Sequence, residues 1–172
     1  MAETEAWPVA ICDAGPLIHL AEIGCLDLLR DFQAVLIPEQ VRDEVARHRP
    51  DALVVSGFSV RYVPVEVSAD PHFKALVKAF SLDSGEQAAL SLMAHDPKAL
   101  LLTDDAAARL AAKALGFRSQ GSLGVLLRAM RLGRRTKAAV LAALRDIPSR
   151  STLHIRANLL NDVIEEVERS EG

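Results

Sequence analysis

Short apolar runs alternate with helix-length amphipathic stretches along this chain, and that alternation constrains the fold more than any other feature. "PVAIC", "AVLIP", "SVRYVPVEV", "KALLLT" and "FRSQG" read as strands, in that order. Between them, "PLIHLAEIG", "CLDLLRDF", "EQVRDEVARH", "DPHFKALVKAF", "DSGEQAALSLMAHD" and "DDAAARLAAKALG" carry helical periodicity. Strands that alternate with helices predict a three-layer α/β/α domain with a mainly parallel sheet of about four to five strands and right-handed crossovers. Pro38 is expected to open the helix behind the second strand, where its missing N–H costs nothing. Pro64 pushes the third strand toward an edge. No repeat or Gly/Ser linker divides the 172 residues, so a single domain is expected, with helices running to the end.

Composition excludes several classes. Half of the residues are hydrophobic and 25% are charged, as in globular chains and unlike disordered ones. No apolar run reaches the roughly 18 residues of a membrane span. The start "MAETEAWP" carries acids where an export signal carries Lys or Arg, and Cys12 and Cys25 make no disulfide framework, so a reducing cytoplasm is the expected location. A net charge of −3 argues against coating nucleic acid by bulk electrostatics, although Arg128, Arg131, Arg134, Arg135 and Lys137 could form a local basic patch. A solvated helix end explains any single one of them better.

Carboxylates occupy positions that packing alone does not need. Asp13 follows the first strand, and Asp104 and Asp105 follow the fourth, so both strand ends point acids at one edge of the sheet. In parallel α/β sheets ligands gather at that edge, where strand order reverses. Each of these acids could also be an N-cap. Glu44 lies on or beside the apolar stripe of Val41 and Val45, whereas Asp43 and Arg47 can pair on the outer face. Glu86 precedes Leu90 by four and Met93 by seven, again on an apolar face. Asp83 with Glu86, and Ser84 with Gln87, both have capping-box spacing, and one box is enough.

Inward carboxylates at one end of a sheet raise one another's pKa, and burial penalises them further. No Lys or Arg is evident on the same faces to neutralise them. A divalent cation would do so, and an oxygen-only donor set suits Mg²⁺ or Mn²⁺, ions that support phosphoryl chemistry. Zinc spacing is absent, since His19, His48, His72, His95 and His154 are scattered; Cys12 and His19 read as packing residues. Neither a P-loop nor a nucleophile elbow is present.

The segments "VAICDAGPLIHLAEIGCLDLL", "VLIPEQVRDEV", "LDSGEQAALSLMA", "LLTDDAAARLAAKALG" and "GSLGVLLRAMRLG" together resemble the PIN domain family, in order and over residues 8–135, with 136–172 as a C-terminal helical extension. The resemblance implies a metal-dependent endoribonuclease, in the VapC-like case the toxin of a toxin–antitoxin pair. It implies an acidic site of Asp13, Glu44, Glu86, Asp104 and Asp105, with Mg²⁺ or Mn²⁺ held by Asp13, Glu86 and the Asp104/Asp105 pair, and Thr103 as a supporting hydroxyl. Threonine-aspartate spacing favours Asp105 as the direct ligand, and distance from the strand favours Asp104. Glu44 could take a proton from the attacking water, and the 128–137 run could hold a single-stranded RNA backbone. A homodimer and an antitoxin are the implied partners. One departure is Gly15, which stands where the family often carries Ser or a similar polar residue.

Two rival readings follow from the same residues. A catalytically degenerate PIN fold would bind nucleic acid or protein without cutting, and Gly15 is its only hint. A receiver-type phosphoacceptor would pair its acids after the first strand and end the last strand with Lys, which "FRSQG" does not provide. "STLHIRANLLNDVIEEVERSEG" reads as one amphipathic helix with a stripe of Ile155, Leu159, Leu160, Val163, Ile164 and Val167, expected to pack on its own domain.

Overall fold

The computed structural model describes residues 8–54 and 58–170. The acidic start of the chain, on which the expectation of no export signal rests, lies almost wholly outside the described residues. In chain order the elements are β1 (Ala10–Cys12), α1 (Ala14–Glu22), a 3-10 turn (Leu26–Asp31), β2 (Val35–Pro38), α2 (Glu39–His48), a second 3-10 turn (Pro50–Leu53), β3 (Val60–Val63), α3 (Pro71–Phe80), α4 (Ser84–His95), β4 (Leu100–Leu102), α5 (Ala106–Ala114), β5 (Ser119–Gln120), α6 (Ser122–Arg131), α7 (Lys137–Arg150) and α8 (Ala157–Arg169).

The five strands form one sheet in the order β3-β2-β1-β4-β5, and every pairing is parallel. Side chains alternate across it, as the pleat requires. Ala10, Cys12, Leu100 and Leu102 face one core with Leu17, Leu20, Val41, Val45, Leu126 and Leu144. Ile11 and Leu101 face the other, with Phe73, Leu90, Met93, Ala108 and Ala112. This is the expected three-layer α/β/α arrangement. Central strands buried on both faces read as unbroken apolar runs, which "VAIC" and "ALLL" are.

Local chemistry sets the element ends. Asp70 accepts hydrogen bonds from the His72 and Phe73 N–H groups, and Pro71 follows at the first helical position of α3. Pro38 closes β2 and caps α2 rather than opening the helix, its extended ψ of 144° ending the strand. Pro64 stops β3, which is an edge strand. Gly116, at a φ of +78°, turns the chain out of α5 toward β5.

Two further expectations need correction. Asp43 pairs with Arg42 at 2.8 Å, and that guanidinium also stacks on Tyr62, 5.8 Å from the ring centroid; Arg47 is not its partner. The C-terminal amphipathic helix begins at Ala157, not Ser151. Pro148 leaves the last turn of α7 one N–H short, and the chain leaves the helix at Ser151 in an extended conformation. Residues 151–156 then run as a strap before α8. Ile155 therefore packs from the strap, Leu159 is half exposed, and Leu160 and Val167 bury into the main core beside Val140 and Leu144. The extension packs on its own domain. Among the described residues no helix is long and apolar enough to cross a membrane.

Candidate functional site

Strand order reverses between β1 and β4, which are hydrogen-bonded neighbours on the two sides of the switch point. Their carboxyl ends deliver Asp13 and the Thr103-Asp104-Asp105 run side by side. A pocket of about 440 Å³ opens there, lined by Asp13, Glu44, Asp83, Glu86, Asp104 and Asp105. All five carboxylates singled out in the sequence thus reach one cavity, from β1, α2, α4 and β4. Asp83 joins them as a sixth.

Each acid is held differently. Asp13 is both the cap of α1 and a wall of the pocket. It accepts from the Ala14 N–H at 2.9 Å and from the Thr103 hydroxyl at 2.9 Å, and it is 6% exposed. Burial pushes its carboxyl up to about 7, with Asp83 and Glu44 adding to the rise against the two hydrogen bonds. The fully buried Thr103 hydroxyl also accepts the Asp105 N–H at 3.2 Å, tying the two strand ends together.

On α4, the Asp83/Glu86 pair forms the capping box, with both hydrogen bonds at 2.9 Å. Gln87 instead donates to the Leu82 carbonyl, so the Ser84/Gln87 alternative does not form. Glu86 is therefore both a cap residue and a pocket residue. Burial, reinforced by Asp83, Asp105 and Asp13, pushes its carboxyl up to about 7 despite the Asp83 N–H. Glu44, half-buried, is raised by burial and by Asp83, with His48 and Arg47 opposing.

Asp104 differs from the others. Its Oδ2 accepts from the Ser122 hydroxyl at 2.6 Å and lies 2.7 Å from His19 Nδ1, while Oδ1 accepts the Ser122 N–H at 2.6 Å. Burial works against its charge, but the His19 and Ser122 bonds outweigh it and hold the carboxyl below its ordinary value. Asp105 gives one oxygen to the Ala108 N–H as the cap of α5. This contrast favours Asp105 as the more available donor of the pair.

Sequence reasoning missed several lining residues. Asp83 read as a cap only. His19 read as packing, and it is indeed a satisfied, 15% exposed histidine, but its partner is a pocket acid. Arg109, on α5, does line the pocket, correcting the expectation that no cation accompanies the acids. It donates to the Asp104 carbonyl at 3.1 Å and to no carboxylate among the described residues. Thr152, Leu153 and His154 of the strap close one side. Three hydrogen bonds to Glu22, from Ser151 Oγ, the Thr152 N–H and Thr152 Oγ1 at 2.7–2.8 Å, fasten that strap to the end of α1.

The basic run is not brought to this pocket. Arg134 pairs with Asp31 at 3.4 Å, Arg135 with Asp27 at 2.5 Å, and Lys137 donates to the Glu168 and Ser170 carbonyls. Arg128 and Arg131 lie on α6, and neither lines the pocket. Gly15 borders the pocket, where a Cβ would meet Asp104 and His19 at ordinary contact distances of 3.4–3.5 Å.

The donor set fits a hard divalent ion in kind: oxygen-only, mutually repulsive, and with two carboxyls held near neutral pH by burial. Among the described residues, no three His, Cys, Asp or Glu side chains converge tightly enough to grip one ion as they stand.

The fold and the pocket define an open, parallel α/β domain with a carboxylate-lined cavity at its switch point. Residues 9–169 match the family model DUF3368, described as a PIN domain. The chain belongs to the PIN domain family, whose members are generally nucleases and typically use divalent metals. It is also similar to a PilT N-terminus domain protein, SSO1118, from the hyperthermophilic archaeon Sulfolobus solfataricus P2. That likeness has 17% identity and a TM-score of 0.48, covering 71% of this chain and 93% of that one. No curated protein matches.

Proposed function

We propose that this chain is a divalent-metal-dependent endoribonuclease that hydrolyses single-stranded RNA at the acidic pocket. The observation that carries the reading is the convergence of Asp13, Glu44, Glu86, Asp104 and Asp105 on one cavity at the switch point of the sheet. Asp13, Glu86 and Asp105 would hold Mg²⁺ or Mn²⁺, which supplies Lewis acidity toward the phosphate and neutralises the acids. The protein's own part is positional. Thr103 and the Ala14 N–H fix Asp13, the capping box fixes Glu86, and Ser122 with His19 locks Asp104 as a rigid anionic wall. Glu44, half-buried and raised by burial, would accept the proton of the attacking water, and solvent would protonate the leaving oxygen as its P–O bond breaks.

Incubating the purified protein with single-stranded RNA and Mn²⁺ tests this. The wild type should cleave, and Asp13→Asn should lose on the order of 100-fold or more; equal cleavage by both would assign the activity to a contaminant. A homodimer and, for a toxin, an antitoxin that masks the pocket belong to the same proposal. Two free, buried cysteines suit a reducing cytoplasm.

A specific observation favours a second reading, a PIN fold that binds without cutting. Both Asp104 oxygens are already engaged, and the described acids stand apart. Mn²⁺ titration followed by thermal melting separates the two, because a ligand of the native state must raise its stability. No stabilisation at millimolar Mn²⁺ would select the second reading.

A further inference from the structure

Beside the acidic pocket a larger groove of about 710 Å³ runs between the strap and the β5–α6 turn. The two cavities share Asp104, Arg109, Leu153 and His154, so the groove is continuous with the site. Three features set it apart from ordinary surface.

First, its arginines carry no carboxylate partner, although Arg109 donates to the Asp104 carbonyl. Arg109 and Arg156 line it, and neither is ion-paired to a carboxylate among the described residues; Arg134, Arg135 and Arg145 all are. Second, Gln120 lines it with a carbonyl oxygen, Oε1, that is shut off from solvent and has no hydrogen-bond partner. Buried polar atoms are almost always satisfied, so this orphan oxygen, on a side chain that lines the groove, points to a ligand that the amide turns to meet. Gly124 makes room for this side chain: a Cβ there would lie 2.3 Å from Gln120 Cγ and 2.6 Å from its Nε2. Third, the walls carry apolar side chains, including Leu123, Leu153 and the half-exposed Leu159.

Resting on the nuclease reading above, we propose that this groove holds a nucleotide of single-stranded RNA next to the cleavage position. Arg109 and Arg156 take its phosphate, the leucines cover the base face, and the Gln120 amide, both donor and acceptor, reads the base edge. Unstacked bases of single strands are the ones a side-chain amide can reach in this way. The strap, and so the C-terminal extension, thereby becomes one wall of the substrate path. Gln120 is a specificity-determining residue here and takes no part in the chemistry.

The test measures binding of fluorescein-labelled ten-nucleotide homopolymers of U, C, A and G to full-length Asp13→Asn protein. On that background Arg156→Ala should weaken binding about five- to tenfold for every sequence and reduce the salt slope by about one. Gln120→Leu should flatten the preference among the four oligonucleotides and leave the salt slope alone; Gln120→Glu, closer in shape, guards against a folding defect. Arg134→Ala, engaged with Asp31, is the control and should change nothing. Unchanged affinity in Arg156→Ala with unchanged preference in both Gln120 variants overturns the proposal, as does an equal loss in Arg134→Ala or no binding of any oligonucleotide. Failure of the nuclease reading shows instead as absent cleavage by the wild type, which this binding measurement does not use.

Discussion

At the scale of single residues, the site depends on glycines as much as on acids. A Cβ at Gly121 would lie 2.7 Å from Asp104 Oδ1, inside any allowed contact, because the Ser122 N–H and hydroxyl draw that carboxylate down onto the backbone. A Cβ at Gly85 would lie 3.0 Å from Glu44 Oε2 and 3.3 Å from Val41. Gly121→Ala should therefore cost about 1–3 kcal/mol in urea unfolding, the usual range for overpacking, and reduce cleavage as Asp104 is displaced. Gly15→Ser should behave oppositely. Its Cβ meets only ordinary contacts and replaces glycine inside α1, so stability should hold or rise by up to about 0.5 kcal/mol. A loss above about 1 kcal/mol in that variant would contradict the geometry at the pocket floor. These acids were legible in the sequence because they broke the apolar pattern of their elements. His19, Ser122 and Arg109 were not, since packing accounted for the first and no local pattern marked the other two, and the His19–Asp104 contact spans 85 positions.

At the scale of elements, α4 and the strap show why some parts were readable. The helix α2 matches its sequence segment end to end, and α3 and α4 match within two residues, because caps and prolines mark their ends. Asp83 carries a double role that a cap signal hides: it caps the start of α4 and it raises Glu44 and Glu86. Asp83→Ala should cost about 0.5–2 kcal/mol by loss of the cap, whereas Asp83→Asn keeps the cap and should cost far less. Chemical denaturation of the two variants separates cap from charge. The strap was misread because Ile155 continues the stripe of α8 and nothing local forbids helix there; its extended form is set by Glu22, 130 positions earlier in the chain than Thr152. Burial opposes the charge of Glu22, but bonds from the Thr152 N–H and the Ser151 and Thr152 hydroxyls, with His19 nearby, hold its carboxyl below the ordinary 4.5. A lowered folded-state value means this anchorage is present above that ordinary value and is lost as pH falls through the folded one. Glu22→Ala should accelerate amide exchange at residues 151–156 while lowering global stability by no more than about 1 kcal/mol, since the carboxylate is largely solvent-screened. Unaltered exchange there would mean the strap is held by Leu153 and Ile155 alone.

At the scale of the whole molecule, the acidic pocket opposes the fold it belongs to. Asp13 and Glu86 ionise near 7 in the folded chain and near their ordinary values of 3.8 and 4.5 when unfolded. Between those limits the folded state holds protons that the unfolded state has released. Their contribution is therefore fully present below pH 4 and declines as pH rises through about 7, levelling above it. In chelator, the melting temperature should fall from pH 5 to pH 8. Asp13→Asn keeps the size of the side chain and its hydrogen-bonding capacity, so it should match the wild type at pH 5 and exceed it at pH 8. A divalent ion reverses the slope, because it competes with the same protons and binds the deprotonated pocket. Stabilisation by Mn²⁺ should grow from pH 6 to pH 8 in the wild type, reaching about 2.7 kcal/mol at a hundredfold excess over its dissociation constant. It should be small at every pH in Asp13→Asn. Melting curves across pH, with and without Mn²⁺, read both effects together. A wild type whose metal-free stability does not fall between pH 5 and pH 8 would mean that these carboxyls are not confined as the structure places them. The cavity at the switch point would then have no charge problem for an ion to solve.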